Sequence, residues 1–139
     1  MKETEQLDRI VAFCRSLSLG WRFKHDRHAQ SARGYRTPVQ YDGQGWPDLL
    51  AVHPQTGDLF VRELKQWARR KDLGPGQADW LQWLNAAGID SGFQEPYRDQ
   101  PAGIWTERDW EHIIVPRLLR PAQGRISVQS INGVPLTTH

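Results

Sequence analysis

Two apolar runs of strand length, joined by a short turn, constrain this chain more than any other stretch. Gly45-Trp46-Pro47-Asp48-Leu49-Leu50-Ala51-Val52 leads through a Pro-Gln-Thr-Gly-Asp turn into Leu59-Phe60-Val61-Arg62-Glu63-Leu64-Lys65. An acid stands at the mouth of the first run. An acid and a lysine two residues apart end the second. Side chains alternate faces along a strand, so Glu63 and Lys65 point one way and Leu64 into the opposite layer. Paired as a hairpin, the two runs bring Asp48 beside Glu63 and Lys65. Two carboxylates and an ammonium then share a small patch, which suits a divalent cation next to a phosphate.

A chain of 139 residues is read as one domain around one core. With 38% apolar and 24% charged residues it has the composition of a soluble globular protein. No apolar run approaches the roughly 18 residues of a membrane helix, and no signal peptide is read at the N-terminus. Cys14 is the only cysteine, so an intrachain disulfide and a cysteine-rich zinc site are excluded. The expected location is intracellular, with no membrane partner. The net charge of +2 is mild but unevenly spread. Residues 22 to 36 carry Arg22, Lys24, Arg27, Arg33 and Arg36 against Asp26, and residues 62 to 71 carry Arg62, Lys65, Arg69, Arg70 and Lys71 against Glu63. Basic stretches on both sides of an acidic patch suit a polyanion held over a metal; the plainer reading is two solvated loops.

In chain order, residues 3 to 18 predict an amphipathic helix with Leu7, Ile10, Val11, Cys14 and Leu17 inward and acids in its first turn. Residues 21 to 25 alternate like a short strand. Residues 26 to 45 form a polar loop of about 20 residues, a length that is usually functional or disordered. After the hairpin, Gly74-Pro75-Gly76-Gln77 opens a second helix with Pro75 at its first position and Trp80, Leu81, Leu84 and Ala87 on its apolar stripe; Gly88 closes it. Residues 89 to 101 look irregular, and Ala102 to Trp105 predict a strand. Thr106 and Asp109 predict a capping box for a third helix that kinks or ends near Pro116. Asn132-Gly133 between apolar runs predicts a terminal hairpin. The sum is a mixed α/β domain with a small central sheet.

The pair Pro47-Asp48 and Glu63-Leu64-Lys65 resembles the PD-(D/E)xK nuclease signature. Glu5, Gly20-Trp21 with His25, Gly45-x-Pro47-Asp48, Glu63-Leu64-Lys65, Gln77 with Trp80-Leu81, Ala87-Gly88 and Asp109-Trp110 occur in the order of its VRR-NUC branch, which holds small, often phage-encoded nucleases. The resemblance spans residues 4 to 119. It implies a restriction-endonuclease-like core over residues 1–120, with residues 121–139 as a C-terminal hairpin extension on the same domain.

It also implies roles. Asp48, Glu63 and the backbone carbonyl of Leu64 would bind Mg²⁺ or Mn²⁺, with Glu5 as an additional ligand or a supporting acid. Lys65 would position or activate water, or stabilise transition-state charge, and Gln77 would orient the lysine or the water. His25, Arg33, Arg36, Trp46, Arg69 and Arg70 would touch substrate, Trp46 by stacking on a nucleotide. Each has a plainer reading: a turn residue for Asp48, a solvated strand face for Glu63 and Lys65, a helix first turn for Gln77 and Glu5, a strand-end histidine for His25, surface for the arginines. Trp80, Trp83 and Trp110 are read as packing.

The expected activity is a metal-dependent DNA endonuclease, selective for branched DNA such as Holliday junctions or flaps. A homodimer would match a symmetric junction, and a phage-encoded copy would act in the bacterial host cytoplasm. The alternatives are a non-catalytic DNA-binding or assembly module on the same fold, and a nuclease of linear ends or RNA. The segment from Asp90 to Pro101 and the extension past residue 120 depart from the family pattern.

Overall fold

Four strands form one sheet in the order β1-β2-β3-β4. A computed structural model describes residues 1–25 and 41–124 and the strand segments 130–131 and 134–135. Helix α1 spans Glu3–Ser16, β1 Arg22–His25, β2 Leu49–His53, β3 Asp58–Leu64, α2 Gln77–Ala86, β4 Ile104–Trp105 and α3 Val115–Leu119. β1, β2 and β3 pair antiparallel, and β4 returns parallel to β3 after α2. The fold is mixed α/β with a small mixed sheet, as the pattern of apolar runs predicts.

The two faces of the sheet bury different partners. Leu49, Ala51, Phe60, Leu64 and Trp105 pack with Leu7, Ile10, Cys14, Trp21, Ile114 and Leu118, so α1 and α3 cover this face. On the other face Val61 and Ile104 meet Leu81 of α2, with Leu50, Leu73, Leu84, Ile89 and Phe93 around them. β3 is therefore covered on both sides, while β1 at the edge alternates between exposed and half-buried. The Leu49↔Arg62 register places Asp48, one residue before β2, across from Glu63.

The loop before Asp48 is locked to the start of α2 by two glycines. Gly45 and Gly76 have φ of +87° and +80°. A Cβ on Gly45 would lie 2.3 Å from the carbonyl carbon of Gly76, and one on Gly76 would lie 2.3 Å from the carbonyl oxygen of Gln44. Backbone meets backbone here, so no larger side chain fits either position. The indole N–H of Trp80 adds a bond to the Asp42 carbonyl at 2.8 Å.

Several sequence-based expectations change in detail. Pro75 precedes the helix: Gly76 is the N-cap of α2 and Gln77 its first residue. Ala87, expected inside, is exposed. The capping box of Thr106 and Asp109 is present, but it starts a tight turn over Glu107–Asp109 that widens into a π-helical turn over Trp110–Ile114 before α3. Pro116 does not end the helix there. The N–H of Val115 bonds to the Trp110 carbonyl five residues back, and this widened turn leads into the proline, which has no N–H to give.

The irregular segment after α2 is an ordered internal clasp. Its Asp90 and Glu95 take the guanidinium of the buried Arg62 at 2.8 and 3.2 Å. Arg117 then joins Asp90 to Asp58 at 2.9 and 2.7 Å. Arg98 and Gln100 bind the buried Asp109 at 2.6 and 2.8 Å. The extension starts along the β2–β3 turn, where Ala122 N–H bonds to Asp58 and Gly124 N–H to the Thr56 carbonyl. Ser130–Ile131 pairs antiparallel with Val134–Pro135, and the turn expected at Asn132-Gly133 lies outside the described residues.

Candidate functional site

The strand ends and the start of α2 meet at one point. Leu64 N–H donates to Asp48 Oδ2 at 3.3 Å, which turns the Asp48 carboxylate toward the end of β3. Along an extended strand a residue's N–H and C=O point the same way, so the Leu64 carbonyl lies on this same side. Glu63 is 1% exposed. Gln77 Nε2 donates to Glu63 Oε1 at 3.1 Å, and Gln77 Oε1 accepts from Gly74 N–H at 2.6 Å. The glutamine thus ties the Gly-Pro-Gly turn to the buried acid. Among the described residues no donor reaches Glu63 Oε2, which is buried with the Asp48 carboxyl group against it.

That buried contact has an electrostatic signature. Burial, and then the Asp48 carboxyl against it, push the pKa of Glu63 far above the ordinary 4.5; Lys65 pulls the other way. Metal-free, the site keeps a proton at neutral pH. Between the unfolded value and the folded one the folded chain binds more protons than the unfolded chain, so stability falls as pH rises. Glu63→Gln carries no such charge. In urea unfolding with EDTA, the variant should match the wild type near pH 4 and gain on it toward pH 8, by up to about 1.4 kcal/mol per pH unit. A constant difference across that range would contradict a buried proton.

The first-helix acid at the site is Glu3 rather than Glu5. Burial and the Asp48 carboxylate raise the pKa of Glu3, whereas Lys65, Arg69 and His25 lower it, so all four lie within electrostatic reach. Glu5 is exposed and its carboxylate caps the helix through Lys2 N–H at 3.3 Å. Helical phase explains the difference. Glu3 stands four residues before Leu7 and seven before Ile10, on the buried stripe, while Glu5 leads the face with Asp8 and Arg9. That signal was present in the sequence.

Gln6 was not singled out from the sequence. It is 3% exposed, and its Nε2 donates to the Lys65 carbonyl at 2.9 Å. Lys65 N–H bonds to the Trp105 carbonyl at 3.0 Å, so the backbone beneath the lysine is held from two sides. The glutamine's place four residues before Ile10 and eight before Cys14 puts it on the buried stripe, but nothing in the sequence names the backbone group it meets.

The remaining candidates divide. His25 pairs with Leu49 at the end of β1 and is half-buried, within electrostatic reach of Glu3. Arg69 is 69% exposed and pairs with Asp72 at 3.4 Å. Arg70 is engaged elsewhere: Asp99 takes its guanidinium at 2.9 Å, and it stacks on Trp67 at 3.8 Å. Lys71 also binds Asp99, and Arg62 is internal, so much of this basic stretch is neutralised within the fold. Trp46 is half-buried against Trp80. Trp83, expected in the packing, is 53% exposed. Arg33 and Arg36 lie outside the described residues.

Asp48, Glu63 and the Leu64 carbonyl make an oxygen-only donor set, the chemistry that suits a hard divalent cation. Among the described residues no group of three or more His, Cys, Asp or Glu is arranged to hold a metal ion. Two carboxylates are enough for Mg²⁺, which keeps several waters. A cavity of about 690 Å³ opens elsewhere, lined by Arg62, Asp90 and Arg117. Its two arginines already hold Asp58, Asp90 and Glu95. No helix among the described residues is long and apolar enough to cross a membrane. No family model, curated protein or solved structure matches this chain.

Proposed function

We propose that this protein is a metal-dependent DNA endonuclease with a restriction-endonuclease-like core of the PD-(D/E)xK, VRR-NUC type. The observation that carries the reading is the buried Glu63 carboxyl set against the Asp48 carboxyl, with Gln77 on one Glu63 oxygen and no donor among the described residues on the other. A cation there would relieve both the desolvated carboxylate and the repulsion from Asp48.

Asp48, Glu63 and the Leu64 carbonyl would hold Mg²⁺ or Mn²⁺. Such an ion supplies charge neutralisation at the phosphate and a more acidic water. The chain's own residues do the rest. Leu64 N–H fixes the Asp48 carboxylate. Gln77, braced by Gly74, keeps Glu63 from turning away. Lys65 places an ammonium on the Glu63 face of β3, where it stabilises negative charge developing on the phosphate oxygens. Glu3 extends the acidic wall, and burial, then the Asp48 carboxylate, raise its pKa. Arg69 offers a solvent-exposed cation for a flanking phosphate.

Branched DNA is the substrate to try first, and a homodimer would offer two such sites to a symmetric junction. The protein should cut four-way, flap or nicked DNA in Mn²⁺ or Mg²⁺, more readily than intact linear duplex, and EDTA should stop it. Failure to cut any DNA in either metal overturns the proposal.

A further inference from the structure

We infer that the DNA strand leaving the Asp48–Glu63 site is held through its phosphates by the cations around Trp67: by Arg108, and by Arg70 and Lys71 once Asp99 releases them. Arg70 and Arg108 both lie on the Trp67 indole, 3.8 and 4.2 Å from the ring centroid. Stacking fixes a guanidinium while leaving its N–H fork at the edge, the form in which arginine grips a phosphate. Arg108 is exposed, and among the described residues its guanidinium meets the indole and no carboxylate. Its neighbour Glu107 does not take it, because both Glu107 oxygens accept the Trp67 backbone N–H, at 3.1 and 2.9 Å.

Arg70 and Lys71 already hold an anion. The Asp99 carboxylate accepts from Arg70 at 2.9 Å, from Lys71 at 3.1 Å and from the Tyr97 hydroxyl at 3.2 Å. Arg70, then Lys71, hold its pKa down at about 2. Arg98 and Gln100 on either side are bound to the buried Asp109, so Asp99 is presented from a fixed turn. Asp99 and Lys71 are more than half exposed, and exposed ion pairs are weak, so a DNA phosphate can replace the carboxylate at little cost. The sheet joins this cluster to the reactive centre. Lys65 N–H bonds to the Trp105 carbonyl, three residues before Arg108. Trp67 is two residues past Lys65, at most about 7 Å along the chain, the rise of about two nucleotides of one strand.

This inference rests on the nuclease reading, and the test separates the two. Labelled four-way and duplex DNA would be titrated by fluorescence anisotropy at several salt concentrations, in the Lys65→Ala background. Arg108→Ala should weaken binding about fivefold near 50 mM salt and lower the slope of log affinity against log salt by about 1. Arg108→Lys should recover only part of the loss. Asp99→Asn should tighten binding about threefold and steepen that slope. Asp99 has φ of +59°, a conformation asparagine also tolerates, so this change removes the charge and keeps the turn. Glu111→Gln, which removes an exposed acid outside the cluster, should leave both readings unchanged. Unchanged binding in either Arg108→Ala or Asp99→Asn overturns the phosphate site and leaves the nuclease reading standing. A gain from Glu111→Gln equal to that from Asp99→Asn overturns it in favour of net charge alone. No binding of any DNA by the Lys65→Ala parent overturns both.

Discussion

Lys65→Ala should lower the rate of DNA cleavage by about 10²- to 10³-fold, the usual cost of removing one preorganised group that stabilises transition-state charge. The loss should appear in the rate at saturating DNA, because flanking phosphate contacts such as Arg69 remain for binding. The fold should survive. The backbone of residue 65 stays bonded to Trp105 and Gln6 whatever its side chain, and the lysine side chain is only half-buried. Circular dichroism and the thermal midpoint check that point, and single-turnover cleavage in Mn²⁺ reads the chemistry. Cleavage at the wild-type rate would remove Lys65, and with it the assignment of this strand end as the reactive centre.

Arg62→Ala should destabilise the protein by about 3–5 kcal/mol, the cost of breaking a buried ion pair from one side. Arg62 is one residue from the candidate site on β3 but points to the opposite layer. There it is 1% exposed, binds Asp90 and Glu95, and stands 5.3 and 5.0 Å from the rings of Phe60 and Trp105. Removing it empties a buried side-chain volume and takes one cation from Glu95, 13% exposed, which keeps the Trp105 indole N–H at 3.0 Å and Arg98 at 3.6 Å. The double change Arg62→Met with Glu95→Gln should recover much of the loss, because the stem volume is restored and the buried charge withdrawn. Urea unfolding of the three proteins measures this. A loss under about 1 kcal/mol for Arg62→Ala would assign the residue to the surface class.

The contrast between these neighbours on β3 shows what alternation can and cannot convey. From spacing alone, Glu63 and Lys65 share a face and Asp48 joins them once the runs pair. The observed register delivers that proximity, since antiparallel strands of this length have little freedom once each has a face to bury. The same spacing sends Arg62 into the other layer, yet its charge suggests a phosphate contact. What captures it is Asp90 and Glu95, acids 28 and 33 positions downstream in a stretch without periodicity. Arg70 and Lys71 are taken by Asp99 of the same stretch. Charge counting treats such residues as available because it sees no long-range partner.

Local chemistry in the sequence therefore determined the strands, the hairpin and the grouping of Asp48, Glu63 and Lys65. These depend on period, turn residues and near neighbours, which are written within a few positions of one another. Tertiary structure alone decided that Gln6 holds the Lys65 backbone, that Arg62 is internal, that Trp83 is left outside and that no donor among the described residues reaches one oxygen of Glu63. Each of those outcomes is set by which distant segment reaches the group first, and burial then fixes whether its charge or polarity is answered by protein or left for something else.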